Sequence, residues 1–268
     1  MNIINVSKVN VKINDKLIIK NASFDIEENS FICFMGKNGS GKSILIKTLA
    51  GLFNYDGYIN ISGYVLDKDN ISYIREGISV VLDDIDNEFM GETVFDDLIF
   101  NMENLRYSNE EILKRVKYIS ELFGISDILN KSVNYITNSQ RQVLSIASSL
   151  VTNPKVLILD DCLHQLSVRD KKRVIGILKK YKKENKITII MSSNDIEDVL
   201  NCDRAIVLNG GSVIYNGSVI GLLNDRKFML NNGYKIPFVV DLSLRLMDNG
   251  VINHIYLDSR KLVRDLWK

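Results

Sequence analysis

The octapeptide Gly36-Lys37-Asn38-Gly39-Ser40-Gly41-Lys42-Ser43 constrains this chain more than any other stretch. It fits G-x-x-x-x-G-K-[ST], follows the apolar run Phe31 to Met35, and opens the amphipathic run Lys42 to Leu52. A strand that ends in a glycine-rich turn and feeds a helix aims several backbone N–H groups at one point. The positive end of the helix dipole adds to them, and phosphate is the group such a point suits. Lys42 is expected to neutralise the β and γ phosphates and the Ser43 hydroxyl to ligate Mg²⁺. At ordinary residue usage a chain of 268 residues carries this pattern by chance about once in a hundred, so the strand and helix on either side make the phosphate reading the strong one.

The order of apolar runs says what surrounds that turn. Strand-like Ser79 to Leu82, Val156 to Leu159 and Ile187 to Met191 alternate with helix-like Lys42 to Leu52 and Val168 to Lys183, which implies an α/β fold with a largely parallel sheet. Ahead of it, Ile3 to Val11 and Leu17 to Ile26 read as two antiparallel strands. Residues from about 89 to 150 read as mostly helical, and the tail after Leu223 as helical with one break at Lys235-Ile236-Pro237. The run Val156 to Leu159 ends in Asp160. A parallel strand delivers such an acid to its C-terminal edge, beside the phosphate turn, where Asp160 is expected to hold Mg²⁺ through water.

Composition excludes several classes. With 46% hydrophobic and 25% charged residues the chain can bury a sizeable core, and disorder, collagen and a small disulfide scaffold are ruled out. Thirty-four basic against 33 acidic side chains give a net charge of +1, no footprint for nucleic acid or an anionic membrane. The basic stretch from Arg169 to Lys183 reads as the wet face of a helix. Cys33, Cys162 and Cys202 follow no metal-ligand spacing and read as idle thiols in a reducing compartment. The amino terminus lacks the tripartite signal-peptide pattern, and no apolar run approaches the ~18 residues needed to cross a bilayer, so the chain is expected to be soluble and to reach any membrane through a partner. Only His164 and His254 are available for histidine chemistry, and His164 reads as a polar turn residue.

Three further stretches give the chain a family resemblance. They are Leu159-Asp160-Asp161, the segment Ile136-Thr137-Asn138-Ser139-Gln140-Arg141-Gln142 shortly before it, and Asp203-Arg204-Ala205-Ile206-Val207-Leu208 with Gly211 and Gly217. With the phosphate turn they resemble an ATP-binding-cassette (ABC) ATPase. The stretch Asp86-Asn87-Glu88-Phe89-Met90-Gly91-Glu92-Thr93-Val94-Phe95-Asp96-Asp97, and a tail through Gly233, Pro237, Leu244 and Leu262, resemble more narrowly the ATPase subunit of energy-coupling-factor (ECF) vitamin and metal transporters.

The resemblance implies a P-loop NTPase (RecA-like) core with an N-terminal antiparallel β-subdomain. It implies an ATPase domain over 1–223 with a helical subdomain inserted at about 89–150, and a short helical C-terminal extension over 224–268. ATP and Mg²⁺ are the implied cofactors, held by Gly36 to Ser43 and, for the metal, by Ser43, Asp160 and Asp83.

Several family positions depart. Asp83 stands where the family has a Gln that touches metal and attacking water, Asp161 where it has the Glu general base, and Asn194 where it has the switch His. The Asp161 carboxylate is one methylene shorter, and a misplacement of about 1 Å can cost about 10²-fold in rate; Asn194 still donates a hydrogen bond but carries no positive charge. The signature that closes over a partner subunit's ATP reads Thr137, Asn138, Ser139 and Gln140 in place of Ser-Gly-Gly-Gln. Ser167 replaces an interface Asp, and Asn10 or Val11 an aromatic that stacks on adenine.

Nucleotide binding is therefore expected to be kept and hydrolysis to be weakened. The implied function is the ATP-binding, energy-coupling subunit of an ABC/ECF-type importer, dimerising around ATP at the cytoplasmic face of a membrane. A heterodimer is favoured over a homodimer, because a typical partner leaves each site weakened from one side only. The acidic loop Asp83, Asp84, Asp86 and Glu88, with Phe89, Met90, Phe95 and Phe100, is expected to receive a basic helix of an integral membrane transporter subunit. A degenerate, non-hydrolysing ATP-binding partner is the alternative, and a non-transport ABC ATPase the third reading, disfavoured by the lack of a coiled-coil insertion and by the single cassette.

Overall fold

Alternation inside the apolar runs decides the architecture. The computed structural model describes residues 1–83 and 89–267. Its main sheet has six strands in the order β10-β9-β3-β8-β7-β6: β3 (Phe31–Met35), β6 (Ile78–Val81), β7 (Val156–Leu159), β8 (Thr188–Ser193), β9 (Arg204–Asn209) and β10 (Ser212–Ser218). All neighbours are parallel except β10, which returns antiparallel along β9. Phe31, Cys33, Met35, Leu157 and Leu159 face one core, whereas Ile32, Phe34, Val156 and Ile158 face the other. Both faces are covered, which is why these strands read as unbroken apolar runs.

The N-terminal sheet has four antiparallel strands in the order β2-β1-β4-β5: β1 (Asn2–Ile13), β2 (Lys16–Glu27), β4 (Asp56–Ile61) and β5 (Tyr64–Val65). The two-strand expectation missed β4 and β5, which lie behind α1 (Lys42–Leu49) in sequence; β4 pairs back onto β1, and β5 pairs with β4 at the edge. In β1, beside the buried Ile3, the residues Ile4, Val6, Val9 and Val11 are buried with a period of two that slips by one. A bulge absorbs the slip: Val6 pairs with Phe24 and Val9 with Ala22, and Lys8 takes a φ of 51° between them.

Helix α1 packs Leu45, Ile46 and Leu49, all fully buried, under the sheet, each worth about 1.5–3 kcal/mol. It stops three residues short of the expected Leu52, its last turn closed by Gly51 N donating to Thr48 O (2.9 Å). After α2 (Ile71–Gly77), three helices form the inserted layer: α3 (Val94–Asn104), α4 (Asn109–Phe123) and α5 (Asn138–Leu150). Each begins with a reciprocal capping box, Thr93 with Asp96, Ser108 with Glu111 and Thr137 with Gln140. Helix α6 (Val168–Asn185) crosses between β7 and β8, and the short α7 (Ile196–Val199) and α8 (Val219–Asn224) flank β9 and β10.

The tail holds α9 (Arg226–Asn231), α10 (Phe238–Asp248) and α11 (Ser259–Leu266). It is interrupted twice, at 232–237 and again at 249–258, where only the first break was expected. Met229, Tyr234, Val240, Leu244 and Ile255 anchor it on the same core as the sheet.

Candidate nucleotide-binding and catalytic site

The chain leaves β3 and turns at Gly36, whose N–H donates to Ser193 O of β8 (3.3 Å). A Cβ on Gly36 would sit 2.7 Å from Leu208 O and against the Ser40 hydroxyl, so no larger residue fits. Gly41 begins α1 with a φ of 106°, closed to ordinary side chains. Lys42 is buried, its Nζ donating to Gly36 O (2.7 Å) and Lys37 O (3.3 Å). Burial pushes this ammonium below its ordinary range, and the carboxylates of Asp161 and Asp160 oppose that push. The buried Ser40 Oγ finds no hydrogen-bond partner. A cradle with a caged cation and an orphaned hydroxyl fits a polyphosphate, whose oxygens accept from both.

Asp160, at the C-terminal end of β7, is 1% exposed and accepts from Ser43 Oγ (3.1 Å) and Ser192 Oγ (2.7 Å), both on one oxygen. Ser43 and Asp160 are thus the paired oxygens expected for Mg²⁺. One carboxylate and one hydroxyl suit a cation that keeps several waters and takes the rest of its ligands from phosphate. No cluster of three or more His, Cys, Asp or Glu side chains shaped for a metal exists among the described residues.

Ser192, which sequence reasoning missed, also accepts from Asp161 N (2.8 Å) and so ties the Asp160 carboxylate and the Asp161 backbone to β8. Its only signal was its place one residue after the apolar run Ile187 to Met191. Asp161 adopts a left-handed φ of 52°, a strained conformation for a residue with a Cβ. Burial raises its carboxyl above the ordinary range; His164 and Lys42 pull it down, and Asp83 and Asp160 push it further up.

The third expected metal residue, Asp83, is largely exposed and faces His164, with Nδ1 to Oδ1 at 3.7 Å, near enough to Asp161 to push its carboxyl up. His164 Nδ1 also contacts the Asp161 carbonyl, so this turn histidine bridges two carboxylate positions. Asn194 is exposed and its Nδ2 donates to Asn38 Oδ1 (3.1 Å), which lays the switch position across the phosphate turn.

Thr137 and Asn138 lie on the exposed surface at the start of α5. The Thr137 hydroxyl accepts from Gln140 N (3.2 Å), Gln140 Oε1 accepts from Thr137 N (2.9 Å), and Ser139 Oγ donates to Asp170 Oδ2 of α6 (3.3 Å). Ser167 caps α6 and also donates to Asp170 Oδ2 (2.8 Å). Asn10 accepts from Asn21 N (2.9 Å) and donates to Lys8 O (3.2 Å), so its amide is committed to the bulged β1–β2 pair.

A cleft of about 530 Å³ opens between the sheet edge and the inserted helices, lined by Leu52, Arg75, Phe89, Met90, Phe100 and Leu105 among others. Asp97, buried beneath it, accepts from Met90 N (3.1 Å) and Ser148 Oγ (2.7 Å) and holds the loop end to α5. Phe95, expected in this groove, packs instead against the main core. Asp84, Asp86 and Glu88 lie outside the described residues. The solvated basic face also needs correction at two positions: Lys171 pairs with Asp198 (2.6 Å) and Lys182 with Asp203 (2.7 Å).

A family model described as ABC transporter matches residues 19–164. The energy-coupling factor transporter ATP-binding protein EcfA of Enterococcus faecium is 32% identical over 270 residues, 99% of this chain and 97% of that protein. The chain belongs to the ABC transporter family, among the energy-coupling factor ATP-binding proteins. Among solved structures, cbiO1 of Clostridium perfringens, described as part of the ABC transporter complex cbiONQ, superimposes with a TM-score of 0.78 at 28% identity, covering 90% of this chain and 98% of that one. The ATP-binding cassette MJ0796, described as a dimeric post-hydrolysis state bound to ADP and Pi, gives 0.71 at 25% identity, covering 81% and 98%.

As an ABC ATPase, the chain buries Gly36, Lys42 and Asp160 at its phosphate turn, whereas Asn194, Thr137 and Asn138 stand on the exposed surface. No helix among the described residues is long and apolar enough to cross a membrane.

Proposed function

We propose that this ABC ATPase energises an importer of the energy-coupling-factor type, binding Mg-ATP between Gly36 and Ser43 and pairing with a second cassette across its signature surface. The observation that carries the reading is the Ser43 Oγ to Asp160 Oδ1 contact at 3.1 Å beside the caged ammonium of Lys42, the minimum needed for a metal-bound triphosphate. Mg²⁺ supplies charge neutralisation at the phosphates. Lys42 holds phosphate oxygens, Ser43 and Asp160 would hold the metal, and Asp161 takes the proton of the attacking water. Asn194 donates to the phosphate end of the site.

Hydrolysis is slow in this reading. Asp161 is short by a methylene, and Asn194 brings no charge; full loss of one preorganised donor costs about 3 kcal/mol, of which Asn194 retains part. A family-typical cassette as partner gives two sites each weakened from one side, so a heterodimer is the expected assembly. Thr137 and Asn138 present the exposed face of such an interface, and Asn138 and Ser139 bring amide and hydroxyl donors where the family has glycine N–H groups.

The cleft with Phe89, Met90 and Phe100 is the seat for a helix of an integral membrane subunit, and through that subunit the chain sits at the cytoplasmic face. Light scattering of the purified chain, alone and with a candidate partner cassette, with and without Mg-ATP, tests the assembly. A nucleotide-dependent heterodimer is expected, and a nucleotide-dependent homodimer that excludes the partner overturns it.

A further inference from the structure

The first turn of α6 touches two surfaces that serve different nucleotides. On one side Asp170 Oδ2 accepts from Ser139 Oγ (3.3 Å) and from Ser167 Oγ (2.8 Å), which fastens the signature turn to the helix start. One residue further on, Lys171 Nζ lies 2.6 Å from Asp198 Oδ1. The second oxygen of Asp198 accepts from Ser193 Oγ (2.6 Å), and the same hydroxyl accepts from Asp195 N (3.0 Å). Between Ser193 and Asp195 stands Asn194, bonded to Asn38 of the phosphate turn.

Ser193 and Asp198 are both buried. A buried, charge-assisted network of this kind is costly to break, because a freed carboxylate has no water to turn to. Asp170 and Lys171 are consecutive residues of one helical turn, so a shift of the signature moves the Lys171 ammonium with it. The link depends on a departure from the family pattern. A glycine at position 139 has no side chain to reach Asp170, whereas Ser139 does.

We propose that Asp170 and Lys171 are positioning residues that transmit the placement of the signature turn to the switch turn carrying Asn194. The inference rests on the dimer reading above for its use, since the signature faces the partner's nucleotide and Asn194 this chain's own. The contacts themselves lie within one chain. Closure of the partner's site then tightens Asn194 over Asn38, and loss of the link leaves the two sites to respond separately.

Amide hydrogen exchange of the full-length, nucleotide-free chain tests it without a partner. The reporters are the amides of Asp195 and Glu197, bonded to Ser193 Oγ and Asp195 Oδ1. Ser139→Ala is expected to speed their exchange by about twofold to tenfold, Asp170→Ala and Lys171→Met by more, and Lys171→Arg is expected to restore wild-type protection. Unchanged exchange at Asp195 and Glu197 in Ser139→Ala and Asp170→Ala, with changes confined to residues 137–142, overturns the proposal. So does a Lys171→Arg variant as perturbed as Lys171→Met. If Lys171→Met does not fold, Ser139→Ala, which removes one hydroxyl, decides alone. ATP binding is measured in parallel on the wild type; its absence defeats the proposed function while the exchange result stands separately.

Discussion

The two halves of the nucleotide site are built to different standards. In the half that grips phosphate, Lys42 and Asp160 are buried, Gly36 has room for nothing larger, and Ser43 meets Asp160 directly. In the half proposed to turn ATP over and close on a partner, the varied residues stand in the open or half-open, and several meet a local polar partner. Asn194 holds Asn38, Ser139 holds Asp170, Thr137 closes a capping box, and Asp83 faces His164. The contrast teaches that grip and turnover are specified separately. A substitution in the second half is therefore expected to leave the fold intact, and one in the first to weaken nucleotide binding.

Breaking the first half has the largest expected effect. Lys42→Ala removes a charged donor to phosphate and is expected to weaken Mg-ATP binding by about 100-fold in a fluorescent-nucleotide titration; retained affinity contradicts the assignment of the grip. Repairing the second half comes next. Asp161→Glu with Asn194→His is expected to raise steady-state phosphate release by about tenfold or more at unchanged ATP affinity, and an unaltered rate places the limit elsewhere.

A smaller effect follows from Gly36→Ala. The added methyl group meets Leu208 O and the Ser40 hydroxyl, and thermal denaturation is expected to show a loss of about 1–3 kcal/mol.

The smallest concerns pH. Burial holds the Asp161 carboxyl above its ordinary range, so the folded chain binds that proton more tightly than the unfolded chain does. Stability from this group therefore falls as pH rises from the ordinary carboxylate value through the raised one. Asp161→Asn is expected to melt about 1–2 °C above wild type near neutral pH, with the gap closing in acid; a constant gap across pH sinks that account.

The grip was legible in the sequence because its residues are contiguous and their flanks carry period and punctuation. Phe31 to Met35, the octapeptide and Asp160 stand where the apolar runs placed them. Other features escaped for physical reasons. Strand β4 is short and pairs with β1 across a long sequence gap, and β5 is a two-residue hairpin partner of β4, too brief to show a period. Ser192 is an ordinary serine until the sheet brings β8 beside β7, and only then does its hydroxyl join Asp160 and Asp161. His164 read as a turn residue because nothing in the sequence shows that the turn folds back against Asp161 and Asp83. Phe95 looked like groove lining because helix phase was not known there; at the start of α3 it is half-buried against the main core and does not line the cleft.

Parallel measurement of ATP affinity and steady-state hydrolysis on the purified wild-type chain tests the separation of grip from turnover most directly. Lys42-dependent binding of Mg-ATP with a turnover well below about one per second is the predicted result. Hydrolysis at several per second by the chain alone contradicts it.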